Sequence, residues 1–201
     1  MNQPLGPLPV LRKSGAEPFH ASGNNLGFDL QMFWQWAVSD LVSNTARGVL
    51  AEFLVARALG IEEHGVRDGW SPYDLKNLTG LKIEVKSAAY IQSWFQKEFS
   101  RIVFSVSKKR AWDSASNVLD TEPNRHADLY VFALLAHKDK ATLDPMNVDQ
   151  WVFYVLPTEV LNKRPRSQHS ITLKSLEALC QPVRFPALAS GIEAAGLRQP
   201  A

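Results

Sequence analysis

Hydrophobic residues recur at intervals of three and four between residues 44 and 59, at Ala46, Val49, Leu50, Phe53, Leu54 and Leu59. That spacing predicts an amphipathic helix. Ser43 or Asn44 is suited to cap its start by accepting backbone N–H bonds, and Gly60 to end it. An earlier helix is predicted over residues 29–42, carrying Phe33, Trp34 and Trp36. The period then changes. Leu81, Ile83 and Val85 alternate with Lys82, Glu84 and Lys86, which is the two-residue period of a half-buried strand. Residues 128–135 are apolar almost throughout, as suits a central strand covered on both faces. Residues 101–106, 151–156 and 170–173 read as further strands, and residues 158–162 and 174–180 as short helices. Helices first, then strands mixed with helices, predict an α/β sandwich around one mixed sheet.

The ends break the pattern. Residues 1–26 are rich in Pro, Gly, Ser and Asn and are expected to form a flexible arm. Residues 186–201, rich in Ala and Gly, are expected to be a loosely held tail. One folded domain is expected between them, over residues 27–185.

Composition narrows the class. Hydrophobic residues make up 45% of the 201 and charged residues 21%, the balance of an ordinary globular chain. The single cysteine, Cys180, excludes an internal disulfide and reads as a core thiol. No run approaches the ~18 apolar residues of a membrane span. No secretory signal is visible, so the cytoplasm is expected. The net charge of +2 carries little sign of nucleic-acid binding. Local clusters at Lys108, Lys109 and Arg110 and at Lys163, Arg164 and Arg166 say more, although each also suits a solvated face.

The chemistry concentrates at Glu84-Val85-Lys86. Residues two apart on a strand share a face, so Glu84 and Lys86 project together while Ile83 and Val85 turn to the core. Asp74 lies ten positions earlier, and residues 76–80 form a turn that can bring it back beside Glu84. Two adjacent carboxylates are costly without a cation. Oxygen-only ligands favour Mg²⁺ or Mn²⁺ over zinc, and a lysine beside them can orient a water or neutralise a phosphate. On the preceding helix Gly48, Glu52 and Ala56 share one stripe. The small residues are expected to let the helix approach the sheet, so that Glu52 can join the site.

These residues resemble the PD-(D/E)XK nuclease superfamily. The resemblance rests on Asp74 after Pro72, Glu84-Val85-Lys86 on a strand, and a preceding helix with Glu52, and spans roughly residues 43–92. Tyr73 separates Pro72 from Asp74, where the family has proline directly before the acid. The resemblance implies a restriction endonuclease-like sandwich, a central mixed β-sheet flanked by helices. It also implies a Mg²⁺-dependent DNA endonuclease in restriction, phage defence or repair, with Mn²⁺ able to substitute. By the same resemblance Asp74 and Glu84 hold the metal, Glu52 and the Val85 carbonyl complete its ligands, and Lys86 assists the attack. A homodimer is expected where both strands of a duplex are cut.

Other candidates are weaker. Ser87 and Gln92 can line the cleft, and Lys108, Lys109, Arg110, Arg125 and His126 can face phosphates. Trp94 and Phe95 suit base stacking or the core. The five histidines are not spaced as zinc ligands, and residues 65–69 read as a turn. Two rival readings remain: a nuclease-like fold that binds nucleic acid without cutting, and a protein-interaction domain in which Trp34, Trp36 and Trp70 meet a partner.

Overall fold

The computed structural model describes residues 5, 6, 8–63, 65–113, 115–165 and 167–197. A hairpin, β1 (Pro18–Ala21) and β2 (Asn24–Asp29), leads into helix α1 (Leu30–Val38). Asp29 caps α1 by accepting the Met32 N–H at 2.9 Å. Helix α2 (Asn44–Ala58) follows, and the Ser43 hydroxyl accepts the Ala46 N–H at its start. Gly60 closes it at φ 66°, a left-handed conformation in which a side chain would be strained. The chain continues through β3 (Leu75–Lys76), β4 (Lys82–Ala89), β5 (Val103–Ser105), a small hairpin of β6 (Trp112–Asp113) and β7 (Val118–Leu119), and β8 (Leu129–Leu135). It ends with β9 (Trp151–Pro157), α3 (Thr158–Asn162), β10 (Ser170–Thr172), α4 (Leu173–Glu177), β11 (Pro182–Val183) and α5 (Leu188–Gly196).

The central sheet has five strands in the order β11-β9-β8-β4-β3. β4 and β8 run parallel, with Glu84 opposite Tyr130 and Lys86 opposite Phe132. The other pairings are antiparallel, so the sheet is mixed. Seven apolar residues in succession leave no face for water, and β8 is buried along its whole length at the middle of the sheet.

The pleat sorts these strands into two cores. One face carries Ile83, Val85, Val131, Trp151 and Phe153, covered by Ala51, Leu54 and Val55 of α2 and by Leu188 and Ile192 of α5. Burying Leu54 and Val55 contributes about 1.5–3 kcal/mol each. The other face carries Tyr130, Phe132, Tyr154 and Leu156. It is covered by Phe104, Ile171, Leu161 and Leu176, from β5, β10, α3 and α4. Helices thus flank a central mixed sheet, as the pattern predicts. Cys180 packs at the edge of this second core, where burial pushes its thiol up to about 11.

Several expectations need correction. The arm of residues 1–26 contains β1 and the first half of β2, so that boundary cuts a hairpin. The tail of residues 186–201 contains α5, whose Leu188 and Ile192 are fully buried. The small residues that suggested looseness let α5 lie close: a Cβ at Gly196 would meet Leu81 at 3.0 Å. The first helix stops at Val38 rather than residue 42. The strands predicted at 101–106 and 170–173 form a separate two-stranded ribbon, β5 with β10, outside the central sheet. Among the described residues, no helix is long and apolar enough to cross a membrane.

Candidate active site

The turn between β3 and β4 is built by two residues. The Asn77 side chain accepts hydrogen bonds from the Thr79 N–H at 3.0 Å and the Leu81 N–H at 2.9 Å. Gly80 supplies a φ of 92°. The hairpin pairs Leu75 with Ile83, which sets Asp74 across from Glu84. Asp74 is locked there twice. Its N–H donates to the Ile83 carbonyl at 3.0 Å, and its Oδ2 accepts the Val85 N–H at 2.7 Å. The N–H and C=O of one strand residue point the same way, so the Val85 carbonyl also faces the Asp74 side.

Glu84 and Lys86 share the face of β4 that carries the second core, level with Tyr130 and Phe132 of β8, and Lys86 Nζ pairs with Glu84 Oε1. Lys109 Nζ approaches the same oxygen at 4.0 Å. Ile83 and Val85 turn into the core, at 0% and 6% exposure. Glu84 itself is buried. Burial, and after it the charge of Glu84, raises the Asp74 carboxyl from 3.8 to about 6, with Glu52 adding to the effect. The same burial, with Glu84 next, pushes the Tyr130 hydroxyl to about 12.

Glu52 is buried on α2, and both its oxygens are held by the Arg67 guanidinium, through Nε and, at 2.9 Å, Nη2. A cavity of about 440 Å³ lies between α2 and residues 61–76, lined by Glu52, Arg67, Asp68, Ser71, Tyr73 and Asp74. Glu84 and Lys86 are not in its wall. Asp74 therefore stands between the cavity and the Glu84–Lys86 pair. Among the described residues, no group of three or more His, Cys, Asp or Glu side chains is arranged to hold a metal. His64 lies outside the described residues. Gly48 does not serve a close approach, because a Cβ there would meet nothing within 4 Å.

Arg67 is the residue that the sequence did not disclose. It lies in a segment expected to be only a turn, and its link to Glu52 spans fifteen positions. The other candidates divide. Lys108, Lys109 and Arg110 are exposed, and Lys109 reaches the site. Ser87 is half-buried on β4. Gln92 does not line the cleft with a free amide: it is buried, accepts from Arg47 at 3.1 Å and donates to the Ala89 carbonyl at 3.0 Å.

Arg125 also does not face phosphates. It is 6% exposed, and its guanidinium donates to the Val106 carbonyl, Asn162 and Gln168. His126 contacts the Lys109 carbonyl at 2.9 Å. Lys163 pairs with Glu159 and Arg164 reaches the Ser170 carbonyl; Arg166 lies outside the described residues. Trp94 and Phe95 are 50% and 84% exposed and belong to neither core.

An α/β sandwich with carboxylates and a lysine gathered at one rim of its sheet defines a site of acidic, oxygen-donor chemistry. The sequence model of the family Bacteriophage T4 endonuclease IV matches residues 30–175, more than half of the chain. The chain belongs to that family, which places it among endonucleases and so among hydrolases that act on nucleic acid. The matched span contains Glu52, Arg67, Asp74, Glu84, Lys86 and Lys109 and stops before α5. No curated protein matches the chain.

Proposed function

We propose that this chain is a Mg²⁺-dependent endonuclease that hydrolyses DNA phosphodiester bonds at a site of the PD-(D/E)XK type. The reading is carried by the β3–β4 hairpin, which sets Asp74 against Glu84 with Lys86 beside it. The donor set fits a hard divalent ion. It offers carboxylate oxygens and a backbone carbonyl, and the Asp74 carboxyl is raised first by burial and then by the neighbouring charge of Glu84, two costs that a bound cation would offset. Mg²⁺ is held by one or two carboxylates together with water, so a pair suffices.

Asp74 and Glu84 would hold the ion, with the Val85 carbonyl as a further ligand and Glu52 at the margin. When bound, the ion supplies Lewis-acid charge that makes water a better nucleophile at neutral pH. Lys86 stays beside Glu84 and is placed to orient the attacking water and to offset charge as it builds on the phosphate. Arg67 fixes Glu52 and adds a cation to the cavity wall, where a phosphate of the strand can rest.

A second reading, binding without cutting, is favoured by the ion pairs that occupy Glu52 and Glu84. Cleavage of supercoiled plasmid and of labelled single-stranded DNA, with Mg²⁺, Mn²⁺ or EDTA, separates the two. The expected result is cutting that EDTA abolishes and that Lys86→Ala lowers by about 10²-fold or more. Undiminished cutting in EDTA or by Lys86→Ala would refute the assigned site. Salt-dependent binding with no cutting under any metal would establish the second reading.

A further inference from the structure

The segment before β3 and strand β6 meet through a pair of tryptophans. Trp70 and Trp112 make an edge-to-face contact, with ring centroids 5.4 Å apart and planes at 71°. Such a contact leaves ring faces uncovered, and the two side chains are 70% and 37% exposed. Indole in water at a site is unfavourable unless something covers it in use.

Both rings are tied to the site. Trp70 follows Arg67, which holds Glu52, by three residues. Asp68 accepts the Trp70 N–H at 2.9 Å and the Ser71 hydroxyl at 2.6 Å, and Asp68 and Ser71 line the cavity with Asp74. Trp112 follows Lys109, which approaches Glu84, by three residues. Three residues of chain span at most about 11 Å, so the backbone of each tryptophan lies within that reach of a residue whose side chain holds or approaches a site carboxylate.

The Trp112 ring is also fixed in orientation. Its Nε1 donates to Asn117 Oδ1 at 3.0 Å. Asn117 sits in the left-handed region at φ 58°, in the turn that closes the β6–β7 hairpin. A ring held in advance loses little freedom when a ligand lies on it. Exposed Lys108, Lys109 and Arg110 lead directly into β6, and cations beside aromatic faces are the usual means of gripping an unpaired strand.

We propose that Trp70 and Trp112 form a stacking subsite for an unpaired base of the substrate strand, next to Asp74 and Glu84. The proposal rests on the nuclease reading for its substrate. The base comes from a single strand or is turned out of a duplex. The bland alternative is that the two rings only fasten the loops together.

The test is binding of labelled oligonucleotides in EDTA, read by fluorescence anisotropy, with an abasic residue moved one position at a time along the strand. The unsubstituted chain is expected to lose about tenfold in affinity at one or two adjacent positions. Trp70→Ala and Trp112→Ala are expected to bind the intact strand about tenfold more weakly and to show no further loss at those positions. Trp112→Phe should keep most of the affinity, because a phenyl face still stacks.

An abasic loss as large in the alanine variants as in the unsubstituted chain would overturn the proposal and leave only the fastening role. If the alanine variants do not fold, the unsubstituted chain decides, since a flat abasic profile overturns the subsite. A fully paired duplex and one with a single unpaired position, run alongside, distinguish the two sources of the base. Tryptophan-dependent binding without cleavage under any metal would refute the nuclease reading and leave the subsite standing. Cleavage with a tryptophan-independent abasic profile would do the reverse.

Discussion

β8 and α1 are both built almost wholly of apolar residues, yet every residue of β8 is buried and none of α1 is. β8 runs between β4 and β9, with α2 and α5 over one of its faces and β5, β10, α3 and α4 over the other. α1 lies with the β1–β2 hairpin, and Phe33, Trp34 and Trp36 are 47%, 39% and 85% exposed. Hydrophobicity states what a segment would gain by leaving water. Whether it gains it depends on a second surface being brought against it.

The largest test of that contrast is Phe132→Ala in β8. Phe132 is fully buried and packs on Phe104 and Tyr130, so a loss of about 3–5 kcal/mol is expected in denaturant unfolding. A loss under 1 kcal/mol would mean that this core is loosely packed. Next comes Leu188→Ala in α5, at 0% exposure, with an expected loss of about 2–5 kcal/mol. No measurable loss would return residues 186–197 to the loose tail that their composition suggested.

Asp74→Asn is expected to act in the opposite direction. In the metal-free folded chain the Asp74 carboxyl holds its proton up to about 6, against an ordinary 3.8. The folded state therefore binds that proton more tightly than the unfolded state. Its contribution to stability is present below 3.8 and is lost as pH rises through about 6. In EDTA above that pH, Asp74→Asn should melt a few degrees higher than the unsubstituted chain. The gap should close as pH falls to 3.8. The same substitution should abolish cleavage, and a lower melting point at every pH would remove the electrostatic argument for the site. Smallest is Trp36→Ser in α1, at 85% exposure, expected to change stability by no more than about 0.5 kcal/mol. A larger loss that grows with protein concentration would show that a second copy covers α1 in solution.

Much of this was readable in advance where the signal is local. The Leu129–Leu135 run gave β8, and the alternation around Glu84 gave the face of β4. Ser43 gave the cap of α2, because a hydroxyl there bonds the next turn of its own helix. Asp74 was readable through its turn, since Asn77 and Gly80 fix a return within a few residues.

Other features depend on distant partners. Arg125 has the composition of a surface cation, but Val106, Asn162 and Gln168 meet its guanidinium from three other parts of the chain. Gln92 is tied in the same way by Arg47, forty-five positions away. Glu52 was singled out for its neighbours on the helix, while Arg67, which holds it, has no sequence signal beyond its charge. Trp94 and Phe95 look like core residues, yet they are exposed and belong to neither core.

The sequence alone determined the kind of each main element, the face on which Glu84 and Lys86 stand, and the turn that returns Asp74 to them. These follow from backbone geometry and hydrogen bonds within a few residues, which composition and spacing record directly. Tertiary structure alone decided which apolar segments are covered, which cations are spent on internal carbonyls, that α5 packs over one face of the sheet, and that Trp70 meets Trp112. Each of those depends on surfaces far apart in the chain, and a side chain carries no local mark of the partner that the fold will bring to it.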